Sequence, residues 1–139
     1  MKDAGIEIIE NRGVWLTKGK DRIRIGGVGD YLEGKQDLDP VLKGTTPKDF
    51  VILVSHNPDY IENMDSNAID LMLSGHTHGG QMSFFGFYAP LVPSNYGQKY
   101  RTGIIKKGNT TLVVSNGVGL IRPAVRFCTR PQIIVIDLK

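Results

Sequence analysis

Short apolar runs separated by glycine, proline and asparagine follow one another along the chain and predict a β-rich fold. The clearest run is Phe50–Val54, which is typical of a strand buried on both faces. A second run follows at residues 69–74. Between them, Asn57 and Pro58 favour the start of a helix reaching about Met64, because asparagine caps helices and proline suits their first turn. This strand–helix–strand unit predicts two parallel, neighbouring strands.

Further strands are predicted on both sides of this unit by short alternating runs. They are a hairpin of residues 14–17 and 22–25, a hairpin of residues 100–105 and 110–115, and single strands at residues 6–9 and 133–138. A short helix is expected at residues 38–43. Strands mixed with a few helices indicate an α/β protein built on a β-rich mixed sheet.

Composition excludes several classes of protein. The 139 residues are 40% hydrophobic and 22% charged, and the net charge is +3. The basic residues are scattered, so we expect no nucleic-acid partner. No apolar run is long enough to cross a membrane, so no membrane segment is expected in this chain, and the compartment stays unassigned. The single cysteine, Cys128, forms no disulfide within the chain and is expected to be a small buried hydrophobe.

The histidines give the strongest chemical signal, because all three follow the two buried apolar runs: His56, His76 and His78. Parallel neighbouring strands end at the same edge of a sheet, so we expect His56 to lie close to the other two. In an extended segment alternate residues point to one side, so His76 and His78 can face one site. Imidazole binds zinc, iron, manganese and nickel, and the pattern therefore favours a metal site.

Glycines and carboxylates near the histidines complete the candidate site. Gly75, Gly79 and Gly80 allow backbone conformations that other residues avoid. Asp30 follows a strand and is interpreted as a loop cap, with a ligand of a single metal ion as the alternative. Asp70 lies inside an apolar run and is expected either to be paired or to face an edge.

Two motifs resemble those of the calcineurin-like metallophosphoesterase family. Residues 55–58, Ser-His-Asn-Pro, resemble its single-histidine motif, and residues 75–78, Gly-His-Thr-His, resemble its closing motif. The extension Gly-Gly-Gln at 79–81 is similar to a subgroup of bacterial phosphodiesterases that are often membrane-anchored or exported. The resemblance covers essentially all 139 residues.

The resemblance implies the C-terminal half of a four-layer αββα sandwich, with residues 1–139 as one partial domain. It implies a phosphate-ester substrate and a pair of divalent ions (manganese, iron, zinc or nickel) that activate a water for attack on phosphorus. His56 and His76 would hold one ion and His78 the other. The residues implied to lie near the metals or the substrate are Asn57, Gly75, Gly79, Gly80, Gln81 and Asn116.

The sequence departs from the family in lacking the Asp-x-His, Gly-Asp and Gly-Asn-His motifs that precede this region in the family. The pair Gly29-Asp30 is not a substitute, because its counterpart in the family lies in the later half of the domain. Without the carboxylate ligands of those motifs, we expect weak metal binding and no hydrolysis by the chain alone. A sheet face without its partner layer is expected to be exposed and to favour a homodimer. The alternative is a non-catalytic binding or dimerising module that retains a vestigial histidine metal site.

Overall fold

Six strands form a mixed sheet in the computed structural model, which describes residues 4–64 and 67–138. The strands are β1 (Arg12–Lys18), β2 (Asp21–Gly27), β3 (Phe50–Val54), β4 (Leu71–Ser74), β5 (Gly103–Lys107) and β6 (Thr110–Val114). Their spatial order is β1-β2-β3-β4-β6-β5. The four central strands run parallel, and β1 and β5 pair antiparallel at the two edges. The predicted mixed sheet is confirmed, whereas the four-layer sandwich stays a prediction.

The two apolar runs lie at the centre of the sheet, as predicted. Ile52 of β3 pairs in parallel register with Ile25 on one side and Leu71 on the other. Asp70 precedes β4, and its carboxylate accepts a hydrogen bond from the Val51 amide at 2.8 Å. The expectation that Asp70 is paired is therefore confirmed, and this bond sets the register of β3 against β4.

One face of the sheet carries the hydrophobic core. Two helices cover this face, α1 (Asp39–Leu42) and α2 (Tyr60–Asn63). Fully buried side chains of the sheet and the helices pack there, among them Val41, Val51, Leu53, Ile61, Met72 and Leu112. Parallel strands packed against helices have continuous apolar sequences, which explains why β3 could be recognised from its sequence.

The opposite face of the sheet is apolar and unevenly covered by the described residues: Ile52 and Leu71 on this face are both 6% exposed, whereas other side chains on it are more open. Phe50, Val54 and Ile104 alternate with the core residues along their strands and therefore point away from the helices. Ile104 keeps 76% of its surface exposed, and Phe50 and Val54 keep 38% and 37%. Leu138, near the end of the chain, lines a cleft beside Phe50 at the edge of this face.

Two predicted strands are wrong. Residues 6–9 form no strand, and among them Ile9 contributes one carbonyl that accepts from the Gly27 amide at 3.1 Å. Residues 133–138 also form no strand in the described part of the chain. A strand needs a neighbouring strand with free backbone groups, and residues 133–136 make no hydrogen bond to any described residue.

Three local predictions need correction. The second hairpin begins at Gly103 rather than at residue 100, because Tyr100 closes a 3₁₀ helix, Gly97–Tyr100. Helix α2 begins at Tyr60, because Asn57 does not cap it: the Asn57 side chain accepts from the Asp59 amide at 2.9 Å and forms a separate turn. Cys128 is exposed rather than buried, on a backbone with φ of 53°. None of the described helices is long and apolar enough to cross a membrane.

Candidate metal centre

His56 and His76 meet at the carboxyl ends of β3 and β4. Backbone pairing continues beyond both strands, since the Gly75 amide donates to the His56 carbonyl at 3.1 Å. Nδ1 of His76 lies 3.1 Å from Nε2 of His56, and the two rings are 4.9 Å apart between centres. His56 is exposed and His76 is half-buried, so the pair faces solvent. The structure thus brings these two imidazoles together, as the strand order predicts.

His78 does not form a three-ligand group with this pair. In residues 4–64 and 67–138, no three histidine, cysteine, aspartate or glutamate side chains are close enough to hold one ion together. The predicted extended backbone is also wrong, because φ is 65° at His76 and 50° at His78, with Thr77 in the helical region between them. The argument that alternate side chains of an extended segment share one face therefore does not apply to this turn. The His78 ring instead packs beside Gly119.

The turn that carries these histidines is held by the buried residue Thr77. Its hydroxyl donates to the Arg101 carbonyl at 2.7 Å and accepts from the Gly79 amide at 3.3 Å. Left-handed backbone is uncommon outside glycine, although histidine tolerates it better than most residues. Such conformations persist where the surroundings fix them, and they cluster at functional sites. The backbone thus adds an independent reason to regard this turn as functional.

Gly79 and Gly80 are required by the turn, whereas Gly75 is not. Gly79 has φ of 63°, and a Cβ there would lie 2.5 Å from Oδ1 of Asn116. Gly80 has φ of 78°, and a Cβ there would lie 2.3 Å from the Cβ of Ala89. Gly75 has neither a positive φ nor any atom within 4 Å of that position. The expectation of special backbone conformations is confirmed at two of the three glycines.

Arg126 joins the histidine turn to the loop at residues 116–119. Its guanidinium donates to the His78 carbonyl at 3.1 Å and to the carbonyls of Asn116 and Gly119, both at 2.8 Å. Sequence reasoning assigned no role to Arg126, because no local pattern signals a side chain that reaches back 48 residues. The arginine fixes where the His78 backbone lies relative to Asn116.

Three buried polar atoms near this junction have no hydrogen-bond partner among the described residues: Nδ1 of His78, Oδ1 of Asn116 and Nε of Arg126. Buried polar atoms are usually paired, and each exception calls for a physical explanation such as a bound ion or water. An imidazole nitrogen and an amide oxygen are both possible metal ligands. The orphaned atoms are therefore compatible with a polar ligand near His78.

Gln81 holds the loop of residues 121–125 in place. Its side-chain amide is buried and donates to three carbonyls of residues 121–125 at 3.1–3.3 Å. Its oxygen accepts from the Ile121 amide at 2.6 Å. These contacts give Gln81 a structural task, and its place near the metals or the substrate, which the resemblance implies, stays a prediction. A glutamine next to Gly-Gly carries no sequence signal for this task.

Asp30 caps the loop that follows β2, as predicted. Its carboxylate accepts from the amides of Leu32 and Glu33 at 2.8 and 3.1 Å. These backbone hydrogen bonds are the main reason why the pKa of Asp30 is lowered, and the charges of His56 and His76 add to the effect. Asp30 forms no metal-binding group with them among the described residues, so the alternative of a single-ion site with this ligand gains no support.

The histidine pair fits part of a metal site. Two nitrogens 3.1 Å apart can both lie about 2.1 Å from one ion, the usual zinc–nitrogen distance. Burial lowers the pKa of His76, and the neighbouring His56 lowers it further, which favours the neutral imidazole that binds metal. A catalytic zinc typically has three protein ligands, and the described residues bring only these two together.

A mixed α/β sheet with paired imidazoles at its strand ends is a site of the kind that binds transition metals. Comparison with known proteins gives the family. The chain is 36% identical to the metallophosphoesterase YkuE of Bacillus subtilis over 118 residues, 85% of this chain and 41% of that protein. It is 35% identical to a metallophosphoesterase of Helicobacter pylori over 123 residues, 84% of this chain and 32% of that protein.

A third relative is the phosphodiesterase YaeI of Escherichia coli, 29% identical over 138 residues, 99% of this chain and 49% of that protein. This chain belongs to the calcineurin-like metallophosphoesterase family. It spans about half the length, or less, of these curated relatives. No family model and no solved structure matches it.

Proposed function

We propose that this chain supplies the histidine part of a metal-dependent phosphoesterase site. His56 and His76 would hold one divalent ion, and His78 would serve a second ion. The observation that carries the proposal is the 3.1 Å separation between the ring nitrogens of His56 and His76 at adjacent strand ends. The names of the relatives, metallophosphoesterase and phosphodiesterase, support a phosphate ester as the substrate class.

The chemistry divides between the ions and the chain. Divalent ions, when bound, would polarise the phosphate ester and activate a water for attack on phosphorus. The chain's own part is to present two imidazole nitrogens at a fixed spacing and to hold the His78 backbone against Asn116 through Arg126. Imidazole ligands suit manganese, iron, zinc and nickel alike.

The chain alone is expected to be inactive. Its described residues gather two imidazoles and no carboxylate with them, which leaves one ion short of ligands and nothing to bridge two ions. With bis-p-nitrophenyl phosphate and manganese, the pure protein should release no nitrophenol above the metal-only background. Robust turnover by the 139-residue chain would overturn this part of the proposal.

Metal binding tests the assignment of the histidines. By titration calorimetry with zinc or cobalt, His56→Ala and His76→Ala should each lower the affinity of the first ion by roughly 10-fold or more. His78→Ala is the matched control, because it also removes one imidazole but should leave that first affinity unchanged. Equal losses in all three variants, or none in the first two, would contradict a shared His56–His76 site.

A second candidate function is a non-catalytic binding or dimerising module. It is favoured by the exposed apolar face of the sheet, where Phe50, Val54 and Ile104 point away from the helices. In the family sandwich this face would be covered by a second sheet. Self-association through this face, together with no measurable metal binding, would favour this candidate over the first.

A further inference from the structure

Exposed aromatic and aliphatic side chains project from the loop that follows the histidine turn. Phe85 and Phe87 keep 84% and 87% of their surface exposed, and Phe84, Tyr88 and Leu91 are also exposed. Phe127 of the last loop lies beside them, since its carbonyl accepts from the Ser83 amide at 2.9 Å. We call the exposed side chains of residues 84–91 together with Phe127 the aromatic surface. It is separate from the exposed face of the sheet.

The loop of the aromatic surface has a defined conformation. Arg101 is buried beneath it and donates to the Gly86 carbonyl at 2.7 Å and to the Gly79 carbonyl at 3.1 Å. Gln98 holds Ala89 by two hydrogen bonds, one to its carbonyl at 2.6 Å and one from its amide at 3.2 Å. The backbone is thus fixed from below, and the aromatic rings are left outside the core by the fold itself.

Exposed apolar patches of this kind mark sites of interaction. Phenylalanine and tyrosine are costly to leave in water, and aromatic residues are enriched where proteins meet the interfacial region of a bilayer. A loop tip with several neighbouring aromatic side chains can enter that region without any spanning helix. Shape and composition alone would also allow a protein partner, and the charge of the surrounding chain decides between the two.

The surrounding chain is basic. From residue 71 to residue 136 there is no aspartate or glutamate. Of the seven lysines and arginines in this stretch, Lys99 and Lys107 are paired with Glu62, and Arg101 and Arg126 donate to backbone carbonyls. The remaining exposed charges are those of Lys106, Arg122 and Arg130. Arg122 is exposed and lines one depression with Met82, Leu91 and Ile121 at the base of the aromatic surface. Basic residues next to an apolar patch are attracted to anionic phospholipids.

We propose that the aromatic surface docks the protein onto an anionic phospholipid bilayer, with Phe85 and Phe87 entering the interfacial region and Arg122 facing the lipid phosphates. The docking is reversible, because a few aromatic side chains and one or two charges bind weakly compared with a spanning segment. It does not depend on the phosphoesterase chemistry. It would place the histidine turn, which the same Arg101 supports, close to the membrane surface.

Co-sedimentation with vesicles tests the proposal. The full chain should bind vesicles of equal parts phosphatidylcholine and phosphatidylglycerol in about 0.1 M salt, and bind pure phosphatidylcholine less. In the double variant Phe85→Ser/Phe87→Ser, the affinity for the anionic vesicles should fall by roughly 10-fold or more. Arg122→Gln should bind about 5-fold less to the anionic vesicles only.

Matched controls exclude a general effect of apolarity or charge. Ile133→Ser/Val135→Ser removes two side chains that are 83% and 89% exposed but lie outside the aromatic surface, and it should bind as the wild type does. Lys106→Gln removes one exposed charge on β5 and should change binding less than Arg122→Gln. Circular dichroism and thermal melting confirm that each variant is folded.

A fluorescence experiment gives a positive signal. In Phe87→Trp, the new indole should be quenched by brominated acyl chains, whereas Trp15 of the wild type, on β1 with the Arg22 guanidinium 4.2 Å from its ring, should not be quenched. No binding to anionic vesicles, equal loss in the control variants, or an unquenched indole in Phe87→Trp would overturn the proposal. Loss of self-association instead of vesicle binding in the phenylalanine double variant would assign the surface to a second copy.

Discussion

Gly79 occupies a position in the histidine turn that a larger residue cannot take without moving a neighbour. Its φ is 63°, and an added Cβ would lie 2.5 Å from Oδ1 of Asn116 and 2.6 Å from Cγ2 of Thr129. Gly79→Ala should therefore destabilise the protein by roughly 2–4 kcal/mol, the sum of left-handed strain and overpacking. Urea unfolding followed by circular dichroism measures this difference as a lower midpoint.

Gly75 is the matched control for Gly79. It lies directly before His76, whereas Gly79 lies directly after His78. Nothing lies within 4 Å of the Cβ position of Gly75, and its φ is not positive. Gly75→Ala should change the free energy of unfolding by less than about 0.5 kcal/mol. If the two alanine variants unfold at the same urea concentration, the close contact between Gly79 and Asn116 is not formed in solution.

The sequence showed that glycines flank the histidines, but it could not show which of them is required. A left-handed φ depends on local hydrogen bonds, such as those of Thr77, and a short contact depends on a loop that returns from residue 116. The same limit applies to His76 and His78, whose positive φ made the extended-segment argument wrong. In contrast, the meeting of His56 and His76 was predictable, because it follows from strand order alone.

Helix α2 is attached to the β5–β6 hairpin by a cluster of charges around Glu62. The Glu62 carboxylate lies 2.5 Å from the ammonium groups of Lys107 and Lys99, and it also accepts a hydrogen bond from the Tyr100 hydroxyl. Lys107 donates in addition to the carbonyl of Ile61 at 2.9 Å. These partners, Lys107 first, lower the pKa of Glu62 from 4.5 to about 2.

This lowered pKa predicts a pH dependence of stability. Because the folded protein holds Glu62 ionised more strongly than the unfolded chain does, the cluster stabilises the fold fully above about pH 4.5. That stabilisation should be lost progressively as the pH falls from 4.5 towards 2. Glu62→Gln should cost roughly 1–2 kcal/mol at neutral pH, a value reduced by solvent screening, and should flatten this part of the pH profile.

Thermal melts between pH 7 and pH 2 check this prediction. Glu33→Gln is the control, because it removes an exposed carboxylate outside the cluster and should leave the profile unchanged. A wild type and a Glu62→Gln variant that lose stability in parallel on acidification would show that the cluster does not contribute.

Elements could be predicted wherever the signal was local. Three kinds of element were recognisable from the sequence: the apolar run of β3, the two hairpins and the short helix α1. Burial on both faces, or a tight turn, produces a characteristic sequence pattern within a few residues. Residues 133–138 have the same apolar pattern but no partner strand among the described residues, so the pattern alone predicted a strand wrongly. A strand forms only when a neighbouring strand accepts and donates its backbone hydrogen bonds, and the sequence of one segment does not show whether that neighbour is present.

At the scale of the whole molecule, the aromatic surface and the sheet face are apolar surfaces of different kinds among the described residues. The sheet face lies on the core strands themselves, where Phe50, Val54 and Ile104 are exposed and the neighbouring Ile52 and Leu71 are buried. An apolar sheet face of this type is suited to burial against another layer, either a second sheet of a larger sandwich or a second copy. We therefore expect the isolated chain to self-associate through this face.

Sedimentation velocity over a range of micromolar concentrations tests this expectation. The wild type should shift from monomer towards dimer as the concentration rises, and Ile104→Lys should shift the midpoint by roughly 10-fold, because a charge would have to be buried in the interface. Phe87→Lys, which places the same charge on the aromatic surface, should leave the dimerisation midpoint unchanged. A wild type that stays monomeric, or equal effects of both substitutions, would mean that the sheet face does not associate with itself, and the larger sandwich would then be the arrangement in which it is buried.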